Sequence, residues 1–98
     1  AGAEARRLAA ERRADALQAA LETRHSGQSA GWEAAAADEA GTVTPTRTFR
    51  NSQGRYCREY REEIRVGGRS ETVMGIACRL PEGGWAPRYR VIPGADNI

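Results

Sequence analysis

The stretch CREYREEIRVGGRSETVMGIAC, from Cys57 to Cys78, predicts a β-hairpin that turns at the Gly67-Gly68 pair. A two-residue hairpin loop pairs the residues that flank it, here Val66 and Arg69. Cys57 lies as many residues before Val66 as Cys78 lies after Arg69, so this register places the two cysteines directly opposite each other. They fall on a non-hydrogen-bonded pair, whose Cα atoms lie about 4.5 Å apart, and a disulfide tolerates that separation.

A structural disulfide is the favoured interpretation of this cysteine pair, with a metal pair and a redox pair as the alternatives. Zinc takes four ligands, and two cysteines with the distant His25 are a poor set. A redox pair usually has the Cys-x-x-Cys spacing, which the sequence lacks. Because disulfides persist in oxidising compartments, we expect this chain in a periplasm, at a cell surface or outside the cell.

The composition predicts one small domain over residues 1–98 with a modest core. Hydrophobic residues make up 40% of the chain, but many of them are alanine, which suits one sheet layer packed on one helix. No run approaches the roughly 20 apolar residues of a membrane span. The charged first ten residues contain no apolar signal-peptide core, so we expect a mature fragment whose export signal has been removed.

The order of the predicted elements indicates an α+β fold. Residues 3–24 are rich in Ala, Leu, Arg and Glu and predict a helix with a narrow apolar stripe. Residues 28–92 predict an antiparallel meander sheet of four to five strands joined by short turns, and 93–98 a polar tail. Within the sheet we expect residues 35–40 to be a connection that ends at Gly41.

Two details of the predicted sheet concern its packing. Pro45 lacks a backbone N–H and therefore predicts an edge strand or a bulge. In the hairpin register Tyr60 faces Gly75, an aromatic–glycine pair across the two strands. Neither face of the hairpin is cleanly apolar, so the sequence leaves open which face meets the helix.

Five motifs occur in an order that resembles one known family. They are GTVTPTRTF (41–49), GRYCREY (54–60), GGR (67–69), GIACR (75–79) and PEGGW (81–85). Together they resemble the C-terminal domain of the rickettsial 17-kilodalton surface antigen family of proteobacterial outer-membrane lipoproteins, over about Gly27 to Trp85. The resemblance implies a precursor with a lipidated cysteine and a glycine-zipper segment upstream of this domain. It implies no enzymatic chemistry.

The residues themselves offer little material for catalysis. Any Ser-His-Asp or Cys-His site would need His25, the only histidine, which lies at the expected helix end where a histidine is electrostatically favourable. Glu59, Glu62 and Glu63 alternate with arginines and predict ion pairs on a solvated face rather than a catalytic carboxylate pair. We therefore expect no enzymatic activity, no cofactor and no metal site.

The arginines predict a candidate surface for an anion or an anionic partner. All 15 basic residues are arginine, whose planar guanidinium pairs with carboxylates and phosphates. The candidate residues are Arg47, Arg55, Arg58, Arg79, Arg88 and Arg90. The favoured alternative is that arginine is simply the only cation that this chain uses. The net charge of +2 argues against a nucleic-acid partner.

The favoured function is a non-catalytic cell-envelope domain of an outer-membrane surface-antigen lipoprotein, with a structural or interaction role. The alternative is a periplasmic enzyme inhibitor or an anionic-ligand-binding module that uses the arginine-rich sheet surface. We expect the partner to be an envelope protein or an anionic envelope polymer. We expect contact with a membrane only through an upstream segment that is absent from this chain, and a monomer or weak oligomer.

Overall fold

A computed structural model describes residues 2–92, apart from the side chain of Tyr89, so the predicted tail over 93–98 lies outside the described residues. The elements in chain order are helix α1 (Gly2–Thr23), strand β1 (Ala30–Ala34), a single 3₁₀ turn (Ala35–Ala37), and strands β2 (Glu39–Arg50), β3 (Tyr56–Val66), β4 (Arg69–Arg79) and β5 (Trp85–Val91). The strands form one antiparallel sheet in the order β1-β2-β3-β4-β5, and α1 packs on one of its faces. The predicted α+β fold is confirmed.

Helix α1 has the composition of a stable helix and ends within one residue of its predicted end. Its final turn is closed by Arg24, whose N–H donates to the Ala20 carbonyl at 2.9 Å, and by the Thr23 hydroxyl, which donates to the Ala19 carbonyl at 2.6 Å. Three of the five buried helix residues, Ala9, Ala16 and Ala20, are alanine. Side chains this small allow the helix to approach the sheet closely.

The helix covers the face of the sheet that carries Tyr60, which the sequence had left open. The buried apolar residues between the two layers are Ala9, Ala16, Leu17, Ala20 and Leu21 of α1 and Ala30, Trp32, Ala34, Val43, Tyr60, Ile64, Val73, Ala77 and Trp85 of the sheet. This face also carries Arg58 and Glu62, both of which are buried. The two charged residues explain why the sequence pattern did not mark this face as the core.

The expected connection over residues 35–40 is shorter in the structure, where β2 already begins at Glu39. The chain reverses through the 3₁₀ turn and Asp38, whose φ of 53° is left-handed, a conformation that aspartate tolerates better than most residues. The Asp38 carbonyl accepts a hydrogen bond from the Gly67 N–H at 2.9 Å, which ties this reversal to the β3–β4 turn. This tertiary hydrogen bond therefore shortens the connection over residues 35–40, which local propensity alone predicts to be a longer loop.

The register at Pro45 confirms the predicted bulge, and although β2 is an interior strand, Pro45 lies in a part of it that is paired on one side only. The register between β2 and β3 shifts between Pro45 and Arg47. Pairing of β2 with β1 ends at Val43, so the chain beyond that point has no β1 partner. The shift accommodates a residue without an N–H in a strand that continues to Arg50.

The β3–β4 register is the predicted one, from Val66 opposite Arg69 to Cys57 opposite Cys78. The two cysteines form a disulfide with a Cα–Cα distance of 4.0 Å. Because side chains alternate along β3, the disulfide lies on the face of the sheet opposite to α1. It therefore cross-links the adjacent strands β3 and β4 outside the core between helix and sheet.

Gly75 provides the space that Tyr60 occupies between the sheet and the helix. A Cβ atom at Gly75 would lie 2.4 Å from Cζ of Tyr60, and Tyr60 is fully buried and cannot move aside. We expect Gly75→Ala to lower the free energy of unfolding by about 3 kcal/mol, the cost of overpacking a tight core. Gly68→Ala is the matched control, because a Cβ there meets no atom within 4 Å. Urea unfolding of both variants tests this, and equal stabilities would contradict it.

Arg13 of α1 forms a bidentate ion pair with the buried Glu62 of β3, with Nε–Oε1 at 2.9 Å and Nη2–Oε2 at 3.0 Å. We expect Arg13→Met to lower the free energy of unfolding by about 3 kcal/mol, because it leaves a buried carboxylate without its partner. Arg7→Met is the control, since the ion pairs of Arg7 with Glu4 and Glu11 are exposed and worth less than about 1 kcal/mol. Chemical unfolding curves that show the same small loss for both variants would refute the assignment.

Candidate functional site

The structure distributes the six candidate arginines over different parts of the domain. Arg58 and Arg79 lie together at the C-terminal end of α1, where both line one pocket. Arg90 lines a groove beside the N-terminal half of the helix. Arg47 lies on the opposite face of the sheet, in register with Glu59. Arg55 and Arg88 are exposed, Arg55 directly before β3 and Arg88 within β5.

The pocket at the end of the helix, which we call the C-terminal pocket, has a volume of about 490 Å³. It is lined by Leu21, Glu22, Thr23, Arg24, His25, Ser26, Thr48, Tyr56, Arg58, Arg79 and Trp85. The last turn of α1 and the residues after it form one wall, and strands β2 to β5 supply the rest. The pocket therefore exists only when the helix end is docked on the sheet.

Arg58 holds the helix end to the sheet at the base of this pocket. Its Nε donates to the Thr48 hydroxyl at 2.9 Å, and its Nη1 donates to the Leu21 carbonyl at 2.7 Å. That carbonyl belongs to the last turn of α1, where the helix dipole is negative and a cation is favourable. Burial nevertheless lowers the pKa of Arg58 from its usual value. The guanidinium remains charged at neutral pH.

Arg79 and Trp85 are both bound by one helix side chain, Glu22. The Glu22 carboxylate forms an ion pair with Arg79 and accepts a hydrogen bond from the Trp85 indole N–H at 3.1 Å. These two donors, Arg79 first, lower the pKa of Glu22. The Arg79 guanidinium also lies over the Trp85 ring, 5.6 Å from its centroid. The carboxylate of Glu22 is thus bound by both Arg79 and Trp85.

The groove beside the N-terminal half of α1 also has a volume of about 490 Å³. Arg6, Arg13 and Arg90 line it together with the acidic Glu39 and Glu62. The bidentate bond to Glu62 raises the pKa of Arg13. Arg13 and Glu62 neutralise each other, and Glu39 offsets one of the two remaining arginines, so the groove carries only a small positive charge.

The predicted solvated face is partly confirmed. Arg47–Glu59 and Arg61–Glu63 form ion pairs on the face opposite to α1. The prediction is wrong for Glu62, which is 1% exposed and lies on the helix-facing side. Strand alternation explains the difference, because Glu59 and Glu63 are an even number of residues apart and Glu62 is out of phase with them.

Four helix-side residues at these sites were missed from the sequence: Arg13, Gln18, Glu22 and Arg24. Gln18 shows why the sequence did not reveal them. Its side-chain amide bonds both the N–H and the carbonyl of Trp85, at 2.9 Å and 2.6 Å. Nothing in the local pattern of α1 marks such contacts, which join residues far apart in the chain. The spacing of the polar Gln18 and Glu22, four residues apart on one side of the helix, was the only signal.

The remaining candidates for chemistry are isolated from one another. His25 is exposed and its backbone N–H donates to the Gln28 side chain at 3.2 Å. Within residues 2–92 no three His, Cys, Asp or Glu side chains are grouped so that they could hold a metal ion. No helix in that same part of the chain combines the length and apolar character of a membrane span.

Tyr60 is fully buried, and its hydroxyl makes no hydrogen bond of normal geometry to a described residue, although the Arg90 guanidinium lies near it. We expect Tyr60→Phe to leave the free energy of unfolding unchanged or to raise it by about 1 kcal/mol at neutral pH, since it removes an unsatisfied polar atom. Burial raises the pKa of Tyr60 above its usual 10.0, and nearby Arg90 offsets part of this rise. The unfolded chain therefore ionises first as the pH increases.

It follows that the stabilising contribution of neutral Tyr60 is present below about pH 10 and is lost as the pH rises further. Tyr60→Phe removes this dependence. Tyr56→Phe, at a residue that is 52% exposed, serves as the control and retains it. Urea unfolding at neutral and alkaline pH measures both effects. A large loss of stability in Tyr60→Phe at neutral pH would show that the hydroxyl has a partner.

Comparison with known proteins identifies the family of this chain. Residues 19–86 match the family model described as 17 kDa outer membrane surface antigen. The 17 kDa surface antigens of Rickettsia conorii and Rickettsia rickettsii are each 46% identical to the chain over 68 residues, which is 69% of this chain and 43% of theirs. The antigen of Rickettsia prowazekii is 44% identical over the same length. No solved structure shows significant similarity to the chain.

The matched segment runs from the last five residues of α1 to the start of β5, so it includes the disulfide, the Gly67-Gly68 turn and the residues of the C-terminal pocket. The chain spans less than half the length of the curated relatives that it matches. The family model nevertheless covers more than half of the chain, in agreement with the resemblance of its motifs. This chain therefore belongs to the 17 kDa outer membrane surface antigen family.

Proposed function

We propose that this chain is a non-catalytic domain of a cell-envelope lipoprotein, with a structural or interaction role at the outer membrane. The observation that carries the proposal is the disulfide between Cys57 and Cys78, in a chain that belongs to an outer membrane surface antigen family. A structural disulfide such as this one, between β3 and β4, is stable in an oxidising compartment and is rare in the cytosol. The family and the bond thus support the same location.

The use of the buried charges supports a non-catalytic role. Arg13 and Glu62 bind each other, and Arg58 binds the helix end through the Leu21 carbonyl. Catalytic acids and bases instead need a free proton-transfer position in reach of a substrate. In the described residues these charged groups connect α1 to the sheet, so their role is structural.

Attachment to the membrane is proposed for a part of the protein that these 98 residues do not include. The relatives are more than twice as long as the segment they share with this chain. We propose that an upstream lipidated segment anchors the domain. The domain itself, a monomer or weak oligomer, then contacts an envelope protein or an anionic envelope polymer through its arginines, because guanidinium groups pair with carboxylates and phosphates.

Fractionation of cells that express the natural full-length precursor tests this proposal. Free thiols are blocked with an alkylating reagent before lysis, so that the redox state at the time of harvest is preserved. We expect the protein in the envelope fraction, with Cys57 and Cys78 protected from alkylation until a reductant is added. A Cys57→Ser/Cys78→Ser double variant is the control for labelling. Recovery in the cytosol with both cysteines alkylated would overturn the proposal.

A further inference from the structure

Arg58 is a buried cation that has no carboxylate partner among the described residues. It is 8% exposed, and its hydrogen bonds go to a hydroxyl and to a backbone carbonyl. By comparison, the buried carboxylate of Glu62 has a bidentate arginine partner. Buried charges in proteins are generally paired, and arginine cannot relieve its burial by losing a proton. The Leu21 carbonyl and the helix C-terminus offset the charge of Arg58 only in part, so this guanidinium can accept an anion from the pocket that it lines.

The donors of Arg58 are only partly used inside the protein. A guanidinium carries five N–H groups in a planar fork. One bond from Nε and one from Nη1 are directed to Thr48 and Leu21. The remaining N–H groups on the two terminal nitrogens are available on a residue that lines the C-terminal pocket. These are the groups that bind an oxyanion in a bidentate manner.

The other charges of the C-terminal pocket leave it positive. Arg24, Arg58 and Arg79 line it, and Glu22 is its only acidic residue. Glu22 is paired with Arg79. Arg24 donates to the backbone carbonyl of Ser29 at 3.2 Å and forms no ion pair with a described carboxylate. Two arginines, Arg24 and Arg58, therefore remain uncompensated on one pocket.

We propose that the C-terminal pocket binds the phosphate group of a phosphomonoester, with Arg58 at its base and Arg24 at its rim. A phosphomonoester carries nearly two negative charges at neutral pH and so compensates both arginines, whereas one carboxylate compensates only one. The partly exposed ring of Tyr56 forms part of the wall beside the phosphate, where the organic part of the ligand would lie.

This inference does not depend on the proposed envelope function. The pocket is formed by residues of this domain alone, and its charge is the same in any compartment. A cytosolic location would overturn the envelope proposal and leave the phosphate site intact. Failure of phosphate binding would leave the location unaffected.

Titration of the oxidised 98-residue chain with phenyl phosphate, followed by amide chemical shifts, tests the site. We expect saturable shifts centred on residues 21–26 and 56–58, with the residues of the opposite sheet face unchanged. Inorganic phosphate should bind at the same place, and acetate at least about tenfold more weakly. Absence of saturation, or equal binding of acetate, would overturn the proposal.

Three variants identify the arginines that bind. We expect Arg58→Lys, which retains the charge but not the fork, to weaken phosphate binding by about tenfold, and Arg24→Gln by several-fold. The matched control is Arg65→Gln, which removes the same charge from the exposed, opposite face of β3. Thermal unfolding first establishes that each variant is folded. If Arg58→Lys is unfolded, the comparison of Arg24→Gln with Arg65→Gln tests the site instead. Equal phosphate affinities of these two variants would contradict the proposal.

Vesicles distinguish a soluble ligand from a lipid headgroup. The chain is mixed with phosphatidylcholine vesicles with and without phosphatidic acid, which carries a phosphomonoester. Binding that requires phosphatidic acid and is displaced by phenyl phosphate would support the pocket and assign it to a membrane lipid. Binding of phenyl phosphate without vesicle binding would support a soluble ligand. Vesicle binding that phenyl phosphate does not displace would indicate general surface attraction and overturn the proposal.

Discussion

The register between β3 and β4 is the constraint on which the rest of the domain depends. In a strand the side-chain period is two, so a slip of one residue would exchange the two faces of the sheet. The Gly67-Gly68 turn sets this register, with Gly67 at a φ of 61°, and the disulfide holds it at the far end of the hairpin. With both ends fixed, Tyr60 is placed over Gly75 and the cysteines on the opposite face.

The helix is then held on the sheet by polar contacts as much as by apolar ones. Alanines let α1 approach closely, but they bury little surface each, so the core is thin. Arg13 to Glu62 and Arg58 to the Leu21 carbonyl connect the two layers at separate turns of the helix. Gln18 and Glu22 add contacts to Trp85 at the start of β5. A small domain thus replaces part of a hydrophobic core with a disulfide and directed hydrogen bonds.

The contacts of Arg13 and Arg58 differ: the first has only a structural role, and the second leaves N–H groups that can bind a ligand. Arg13 and Glu62 compensate each other, so their charges are fully used within the fold. Arg58 instead relies on a hydroxyl, a carbonyl and the helix dipole, which stabilise its charge only in part. The same residue therefore anchors the helix end and presents unused donors to a pocket. An anion there would strengthen the attachment of α1 to the sheet, since it would bind a pocket that only the docked helix completes.

The helix, the hairpin register and the disulfide could be predicted from the sequence, because they follow from local composition, one turn and the spacing of two cysteines. The family was identified from the resemblance of five ordered motifs. The sheet face that the helix covers could not be predicted from the sequence, because that face contains the charged Arg58 and Glu62, whose partners come from α1. The same holds for the early start of β2, where Asp38 contacts Gly67. The C-terminal pocket also belongs to the tertiary structure, since its walls are distant in sequence and meet only when α1 docks.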